Sequence, residues 1–526
     1  AALAAFQLRE ARGPHWLSEN LDPTYPYLLN SLNVSNLHRP FHYHHPGTPV
    51  QLAGGVVIRL SHPLSGEREL ARRVLTEPEH YVGRISTAFV VLYALALLAA
   101  GFAALAATRS AALALVFQAT PFVSETSVEA LTGVRPEPLL SACALLLGAV
   151  ALLALRFDVK THARRYALAF GAVVGLGVAC KINFAPLAVL PLIMLPRLRA
   201  RLEFCAGALL SFLFFVALII TPFHLRAFLS FSVSLLTHTG RYGSGAQGFA
   251  DPQRYFESAA RLAAGDWPFF ALVAAGLLLP AWALVRRREE GAQIDERDAR
   301  RAAGYRILFA AAAAEVLQFL LVAKHPSARY LAPALNLAGL NLVLLCELLR
   351  PRLALRPAAR YALLLALALV AFVQARQLSA QRGRLEQLTR EQLATHELSE
   401  RQARSARVVR YYSSSSPAFA LKYGSDYSNN FYGALLQELY PGNYFYDLWT
   451  GRFSDFRAAL PVTKVAPEGG PFFMHGYSLA DTDFLPYLPP RPLPEGLSVE
   501  PVHRGDVDRP NHYDGEAVYR ATFGRQ

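Results

Sequence analysis

The segment 17–51, LSENLDPTYPYLLNSLNVSNLHRPFHYHHPGTPVQ, holds the side chains best suited to chemistry in this sequence. It contains a carboxylate, Asp22, followed closely by Tyr25 and Tyr27. Aromatic rings stack on the apolar faces of sugars, and a carboxylate beside them can bind or deprotonate a hydroxyl group. The segment therefore predicts a sugar site with both tyrosines as substrate contacts. An ordinary alternative is that Asp22 only initiates a turn before Pro23.

Four histidines follow in the same segment: His38, His42, His44 and His45. Imidazoles and carboxylates are zinc ligands, so His42, His44 and His45 could hold a metal, although their spacing is not diagnostic. His44 and His45 are also candidate substrate contacts, and the three could instead hydrogen-bond lipid headgroups. The sequence leaves a divalent metal open.

The composition indicates the kind of scaffold that positions these residues. Of the 526 residues, 53% are hydrophobic and 17% are charged, below the roughly 25% of a soluble domain. The formal net charge is +13, but the arginines stand in short clusters between apolar blocks. That placement is typical of membrane loops and argues against nucleic-acid binding.

A helix needs about 20 apolar residues to cross a bilayer, and on that basis we predict about eleven spans. Ala1 begins an apolar stretch that looks like the end of a helix, so we expect the first span to start before it. The predicted spans are 1–8, 83–107, 110–124, 138–155, 166–180, 182–196, 204–222, 268–285, 305–323, 331–349 and 358–375.

The loops between these spans alternate in charge at every crossing. Arginine and lysine collect around 109, 156–165, 197–201, 286–306 and 350–360, which should therefore be cytoplasmic. The same parity places 9–82, 223–267, 324–330 and 376–526 on the outer side. Within 9–82 the apolar stretch GTPVQLAGGVVIRL is too short to span, and it predicts an interfacial helix.

Several charged residues lie at the outer ends of spans, where the positive-inside rule disfavours cations. Binding an anionic phosphate is one reason to keep them there, and snorkelling to lipid phosphates is the other. The phosphate-binding candidates are Arg135 in SETSVEALTGVRPEPLL, Lys181 after the fifth span, and Lys324, His325 and Arg329 in KHPSARYLAP. Glu137 and Tyr330 in the same segments are candidate substrate contacts.

The last third of the chain has the texture of a soluble domain. Residues 376–406 carry leucines at helical spacing and predict an amphipathic helix that leaves the last span. VVRYY, NYFYDLW, PFFMHGYSL and AVYRATF predict strands, and FYGALLQELYPG predicts a helix. We predict a mostly α transmembrane bundle over 1–377, with 9–82 as its first outer loop, and a small α/β domain over 378–526.

The order of these motifs resembles the GT-C superfamily of membrane glycosyltransferases, in particular bacterial relatives of the protein O-mannosyltransferase and aminoarabinose transferase group. The resemblance covers residues 1–350. It rests on Asp22 in LDPTYPYLLN, on HHPGTP, on TGVRPEPLL, on the Gly-rich GLGVACKINFAPLAVLPL and on ARYLAPAL.

The resemblance implies an inverting transferase in the bacterial inner membrane, with its C-terminal domain periplasmic. It would take a sugar from a polyprenyl-phosphate donor to an acceptor glycolipid, polysaccharide or protein. Asp22 would be the general base, and Lys181, Lys324, His325, Arg329 and Arg135 would bind the donor phosphate. Many relatives carry a second acid beside this aspartate, whereas here the neighbours are Leu21 and Pro23, which leaves Glu19 as the alternative base.

Two other classes of protein remain open at this stage. A transporter or flippase would use intramembrane charges, and Glu315 inside the ninth span is the one clear acid. A non-catalytic scaffold would bind a partner through the C-terminal domain, but it leaves the aromatic and histidine-rich segment unexplained.

Overall fold

The computed structural model describes residues 2–43, 47–237, 252–290, 296–324, 327–354, 357–466, 470–479, 493–505 and 515–523. His44, His45 and His325, all predicted site residues, lie outside these ranges. The helices in chain order are α1 Ala2–Ala11, α2 Ser18–Ser35, α3 Thr48–Ser61, α4 Glu67–Thr76, α5 Pro78–Thr108, α6 Ala111–Gln118, α7 Glu125–Glu129, α8 Glu137–Leu153, α9 Ala163–Cys180, α10 Val189–Met194, α11 Leu198–Val216, α12 Pro222–Thr237, α13 Pro252–Gly265, α14 Trp267–Glu290, α15 Glu296–Ala323, α16 Ala332–Ala354, α17 Pro357–Ala403, α18 Pro417–Asp426, α19 Gly433–Leu439 and α20 Val462–Val465.

A helix or a pair of short helical pieces occupies each of the predicted apolar blocks. Among the described residues, five stretches are long and apolar enough to cross a membrane: Pro78–Thr108, Ala163–Cys180, Trp267–Val285, Ala299–Ala323 and Ala328–Leu349. Glu137–Leu153 and Ile182–Met194 are apolar but shorter, as expected for blocks that proline or polar residues punctuate. The mostly α transmembrane bundle is confirmed.

The bundle is packed closely where small residues allow it. Along α9, Gly171 and Gly175 face α11, and a Cβ on Gly175 would lie 2.3 Å from the Ala208 carbonyl oxygen. Membrane helices associate through such small-residue contacts because lipid gives no hydrophobic drive for helix pairing. Helix α9 therefore packs directly against α11, while α8 contacts both α9 and α16, and α16 contacts α15.

The segment 9–82 is more regular than the sequence indicated. We expected a loop with one interfacial helix, but α2 and α4 are helical as well, and only α3 was anticipated. α2 was missed because Pro23 and Pro26 lie inside it. Its backbone leaves helical geometry at Asp22 (φ −99°, ψ 123°) and Pro23 (φ −96°, ψ 20°), so Asp22 stands at a break in the helix.

Helix α17 continues without interruption from the last apolar block into the predicted amphipathic segment. Its 47 residues extend about 70 Å at 1.5 Å per residue. Beyond the apolar part it packs along the N-terminal region. Thr389 donates to the Ala11 carbonyl (2.9 Å) and Gln392 to the Ser18 hydroxyl (2.9 Å).

The C-terminal region contains a seven-stranded mixed sheet in the order β4-β3-β2-β1-β5-β7-β6. The strands are β1 Val408–Arg410, β2 Tyr444–Asp447, β3 Arg452–Ser454, β4 Ala459–Leu460, β5 Phe472–Tyr477, β6 Leu497–Arg504 and β7 Glu516–Phe523. β1 pairs in parallel with β2 and β5, and every other pairing is antiparallel. The predicted strands and α19 are present, whereas β3, β4, β6 and α18 were not predicted.

Candidate active site

Asp22 lies at the break in α2, where the backbone leaves helical geometry. Protein surrounds the carboxylate, yet solvent reaches it. Arg329, Tyr330 and Tyr423 around it are partly accessible as well, and the space between these side chains and Asp22 is here called the Asp22 cavity.

Charges from three different elements act on the Asp22 carboxylate. Burial raises its pKa above the ordinary value, and Arg329, a hydrogen bond from Tyr423 and Lys181 act in the opposite direction. Glu137 adds a smaller upward contribution. A carboxylate with a raised pKa is a better proton acceptor when ionised, which is the property a general base needs.

Lys181 and Glu137 form a buried ion pair beside this cavity. Lys181 Nζ lies 2.9 Å from Glu137 Oε1, and their side chains are 8% and 3% exposed. Lys181 follows the C-terminus of α9 and Glu137 begins α8, so each charge has the sign that its helix dipole favours. The ammonium also lies 3.9 Å from the centroid of the Tyr330 ring.

The segment Ala328–Leu331, a 3-10 turn before α16, brings Arg329 and Tyr330 to the pair. The Tyr330 carbonyl accepts hydrogen bonds from Asn183 (3.2 Å) and Gln318 (3.1 Å), which fix the turn against neighbouring helices. Arg329 is held near Glu137, Asp22 and the Tyr330 hydroxyl. Predicted residues from three distant segments thus meet at one place.

Arg135 belongs to a second layer behind these groups. One of its terminal nitrogens donates to the Thr132 hydroxyl (2.9 Å) and to the Glu129 carbonyl (3.2 Å). Burial and the neighbouring Arg12 lower the pKa of Arg135 to about 10.

Glu19, the alternative base, lies among other charges. Burial raises its pKa, and the charged groups that act on it most are Arg12 and Glu129.

Aromatic rings form one wall near Asp22. Tyr27 packs edge-on against His42 (5.3 Å between centroids), and His42 packs against Tyr427 (5.5 Å). Tyr427 in turn contacts Tyr423 (4.9 Å). The sequence predicted aromatic rings beside a carboxylate for a sugar site. Two of the rings in this wall, Tyr423 of α18 and Tyr427 directly after it, were not part of that prediction.

Some predicted residues lie elsewhere. The buried Tyr25 hydroxyl donates to Glu79 (2.8 Å), which also accepts from His15, so Tyr25 is directed into a separate polar cluster. Lys324 is buried at the end of α15, and it is not among the charges that act most strongly on Asp22 or Glu137.

A metal site was left open at His42, His44 and His45. Within the described ranges, no group of three or more histidine, cysteine, aspartate or glutamate side chains is arranged to hold a metal ion. His42 packs between two tyrosine rings, and His44 and His45 lie outside those ranges.

The intramembrane acid Glu315 is fully buried and accepts a hydrogen bond of 2.5 Å from Asn341. This contact joins α15 to α16. It gives the acid a packing role between neighbouring helices.

Sequence reasoning missed Arg12 and Tyr423. Arg12 is buried, donates to Asn20 Oδ1 (3.3 Å) and pairs with Glu129. Its signal was an arginine in a predicted outer segment, the same criterion that selected Arg135. Tyr423 lies far along the chain in a helix that was not predicted, and no local pattern connects it to Asp22.

Breaking the buried pair should destabilise the protein. We expect Glu137→Gln to lower the free energy of unfolding by about 3–5 kcal/mol, because Lys181 is then buried without its counter-charge. The measurement is the thermal unfolding midpoint in detergent, followed by tryptophan fluorescence. The double variant Glu137→Gln/Lys181→Met should recover most of the loss, and Glu69→Gln, from an exposed pair with Arg73, should change little. A midpoint unchanged by Glu137→Gln would contradict the importance of the pair.

The chain shares its overall fold with a solved structure over nearly the whole length of both chains. The chain is similar to the crystal structure of ArnT from Cupriavidus metallidurans bound to undecaprenyl phosphate, with a TM-score of 0.50 and 13% identity over 99% of this chain and 96% of that chain. The same protein in the apo state gives a TM-score of 0.46 and 14% identity, over 95% and 93% of the two chains. No family profile and no curated protein matches the sequence.

Proposed function

We propose that this protein is an inverting glycosyltransferase that moves a sugar from a polyprenyl-phosphate donor to an acceptor hydroxyl. The observation that carries the proposal is that the charges of Arg329 and Lys181 act on Asp22, an accessible carboxylate at the break in α2. The base and the phosphate-binding groups have to lie near each other, because the bond to the acceptor oxygen forms at the same anomeric carbon at which the bond to the phosphate oxygen breaks. The ArnT structure similar in fold holds undecaprenyl phosphate, which supports a lipid of that class here.

The chemistry follows from those positions. The acceptor hydroxyl gives its proton to Asp22 while its oxygen attacks the anomeric carbon from the face opposite the phosphate. The bond between that carbon and the phosphate oxygen breaks, and the phosphate leaves with the electron pair. Arg329 and Lys181 stabilise its growing negative charge. The products are the inverted glycoside, the lipid phosphate and a protonated Asp22.

The charge balance of the cavity suits an anionic donor. Lys181 is already paired with Glu137, so the two charges nearly cancel. Arg329 faces both the Asp22 carboxylate and Glu137, and Arg135 lies behind it near Glu137. The three cations Lys181, Arg329 and Arg135 outnumber the carboxylates Glu137 and Asp22 even when Asp22 is ionised as the base, and an incoming phosphate would balance that charge.

The reaction would take place on the outer side of the bacterial cytoplasmic membrane. The proposal rests on the arginine-rich loops, which are expected inside. Asp22, Arg329 and the C-terminal domain would then be periplasmic, at the level where lipid phosphates lie. The acceptor would be a glycolipid, a polysaccharide or a protein.

The test is transfer of a radiolabelled sugar by the purified protein in nanodiscs. A panel of polyprenyl-phosphate sugars is offered as donors with total membrane extract as acceptor. We expect label to move from at least one donor into a product that resists mild acid, with release of lipid phosphate in equal amount. Release of lipid phosphate without a glycosylated product would indicate a hydrolase. Movement of intact donor across sealed vesicles without chemistry would replace the transferase with a flippase.

A further inference from the structure

Helix α2 consists of two pieces that meet at Asp22, where the backbone is not helical. The piece before the break is tied to the preceding chain, since Asn20 Nδ2 donates to the carbonyl oxygens of Arg12 (2.8 Å) and Pro14 (2.9 Å). The piece after the break has helical geometry throughout. Helical hydrogen bonds do not set the angle between the two pieces, so contacts from other elements have to do so.

The C-terminal domain holds each piece separately. The Ser18 amide donates to the Ser415 hydroxyl (3.0 Å), on the side before the break. Asn30 Nδ2 donates to the Tyr427 carbonyl (3.1 Å), on the side after it. Each of these contacts holds one piece, and neither reaches across the break.

One carboxylate, Glu79 in the first turn of α5, reaches both sides of the break. Its Oε2 accepts from the backbone amide of His15 (2.8 Å) and lies 3.0 Å from His15 Nδ1. Its Oε1 accepts from the Tyr25 hydroxyl (2.8 Å). One oxygen therefore holds the chain before Asp22 and the other holds the chain after it. These three contacts are here called the Glu79 clamp.

The clamp fixes α2 relative to the transmembrane bundle. Glu79 stands on α5, which packs along α8, and Glu137 begins α8. The groups that the clamp holds are buried, because the His15 side chain is 8% exposed and Tyr25 is fully buried. A buried donor that loses its acceptor leaves a polar group unpaired, so these contacts favour one arrangement of the two pieces.

We propose that Glu79 is a positioning residue for sugar transfer, which holds the two pieces of α2 so that the Asp22 carboxylate keeps a fixed place against the bundle. This inference rests on the proposed function, in which Asp22 takes the proton of the acceptor hydroxyl. Glu79 acts through α2 and needs no contact with a substrate. A base works only close to its productive geometry, and a displacement of about 1 Å can cost about a hundredfold in rate.

The first experiment compares two substitutions of Glu79. Glu79→Met keeps the length of the side chain and removes both acceptor oxygens. We expect kcat to fall by about 10–10²-fold and KM for the donor to stay within about twofold, because Arg329 and Lys181 are untouched. Glu79→Gln should retain most of the wild-type kcat, since its amide can accept from the His15 amide and donate to the Tyr25 hydroxyl.

Two results of this comparison would overturn the inference. A raised KM with an unchanged kcat would make Glu79 a substrate contact. Equal losses of kcat in Glu79→Met and Glu79→Gln would assign the effect to the charge. Glu77→Met is the matched control, because it removes the same charge from the exposed residue that precedes α5, and it should keep the wild-type kcat. A loss in Glu77→Met as large as that in Glu79→Met would also count against the clamp.

Tyr25→Phe tests the clamp from its other side, and it does so even if Glu79→Met folds poorly. It should lower kcat about tenfold with KM unchanged, because one hydrogen bond to a charged group is lost. The double variant Glu79→Met/Tyr25→Phe should be little worse than Glu79→Met alone, since the link between the two pieces can be lost only once. Losses that multiply would show that the two side chains act independently.

Amide hydrogen exchange of α2 in nanodiscs, followed by mass spectrometry, separates this inference from the proposed function. Exchange over residues 24–30 should be about tenfold faster in Glu79→Met than in the wild type or in Glu77→Met, because the piece after the break is released. Unchanged exchange overturns the clamp whether or not sugar transfer is found. Faster exchange in a protein that transfers no sugar keeps the clamp and removes the transferase.

Discussion

Asp22→Asn should lower kcat for sugar transfer by about 10²–10⁴-fold while the protein still folds, because a positioned base contributes that much. The amide has nearly the shape of the carboxylate, but it cannot take the proton of the acceptor hydroxyl. Donor binding should persist, since Arg329 and Lys181 are untouched. The measurement is single-turnover transfer from the donor that the panel identifies, with the thermal midpoint as a control for folding.

Glu19→Gln is the informative comparison, because Glu19 is the alternative base on the same helix. It faces Arg12 and Glu129, and its change should lower transfer far less than that of Asp22. If Asp22→Asn turns over like the wild type and Glu19→Gln does not, the base has been assigned to the wrong residue. If neither changes turnover, general-base catalysis from this helix is excluded.

The pH dependence of the wild type follows from the same group. Burial raises the pKa of Asp22, so the working, ionised form is lost at a higher pH than for an ordinary aspartate. Transfer should fall as the pH drops through that raised pKa. The sign for stability is the opposite, because a carboxyl group whose pKa is raised by folding destabilises the native state where it is ionised. Acidification through this range should therefore reduce the rate without reducing the thermal midpoint through Asp22.

Arg329→Met should lower kcat by about 10²–10³-fold, which is the cost of removing one donor that stabilises developing negative charge. Arg329 is expected to matter more than Lys181, because Lys181 already has a carboxylate partner 2.9 Å away. Arg329→Lys keeps the charge but loses the planar pair of donors, so it should be intermediate. The measurement is kcat at saturating donor, with binding of the unglycosylated lipid phosphate measured in parallel.

Arg384→Ala serves as the control for net charge. Arg384 is 71% exposed on α17 and lies 3.8 Å from Glu125, away from the cavity. Its loss should leave kcat within about twofold of the wild type, since exposed ion pairs contribute little. Equal losses in Arg384→Ala and Arg329→Met would point to a general effect of surface charge and would contradict a specific phosphate site.

Much of the bundle was predictable because hydropathy reports directly on the solvent around each segment. The apolar blocks appear as helices, and the charged ends of the blocks supplied Lys181, Arg329, Arg135 and Glu137. Hydropathy together with the alternating charge of the loops also predicts that these four residues lie on one side of the membrane. All four residues stand at helix ends that face the same way, so the predicted direction of each helix was enough to group them.

The contacts that complete the cavity could not be predicted, since they join residues far apart in the chain. α2 was missed because two prolines interrupt its helical pattern. The backbone break beside the first proline is also where Asp22 lies outside helical geometry. Tyr423 was missed because α18 is short and its apolar residues do not repeat clearly. Tyr25 was grouped with Tyr27 by proximity in sequence, but successive positions along a helix face different directions, and Tyr25 contacts Glu79 instead.

The contacts between α2 and the last third of the chain also set an order in time. Ser18 and Asn30 leave the ribosome before their partners Ser415 and Tyr427, which follow 397 residues later. During synthesis the bundle can insert and pack while the surroundings of Asp22 are still unfinished. The nascent chain should therefore be inactive until residues 408–427 have been made and have docked against α2. Early termination of translation would leave a membrane-inserted protein with the charged residues in place and no ordered base, so incomplete chains would not release lipid phosphate unproductively.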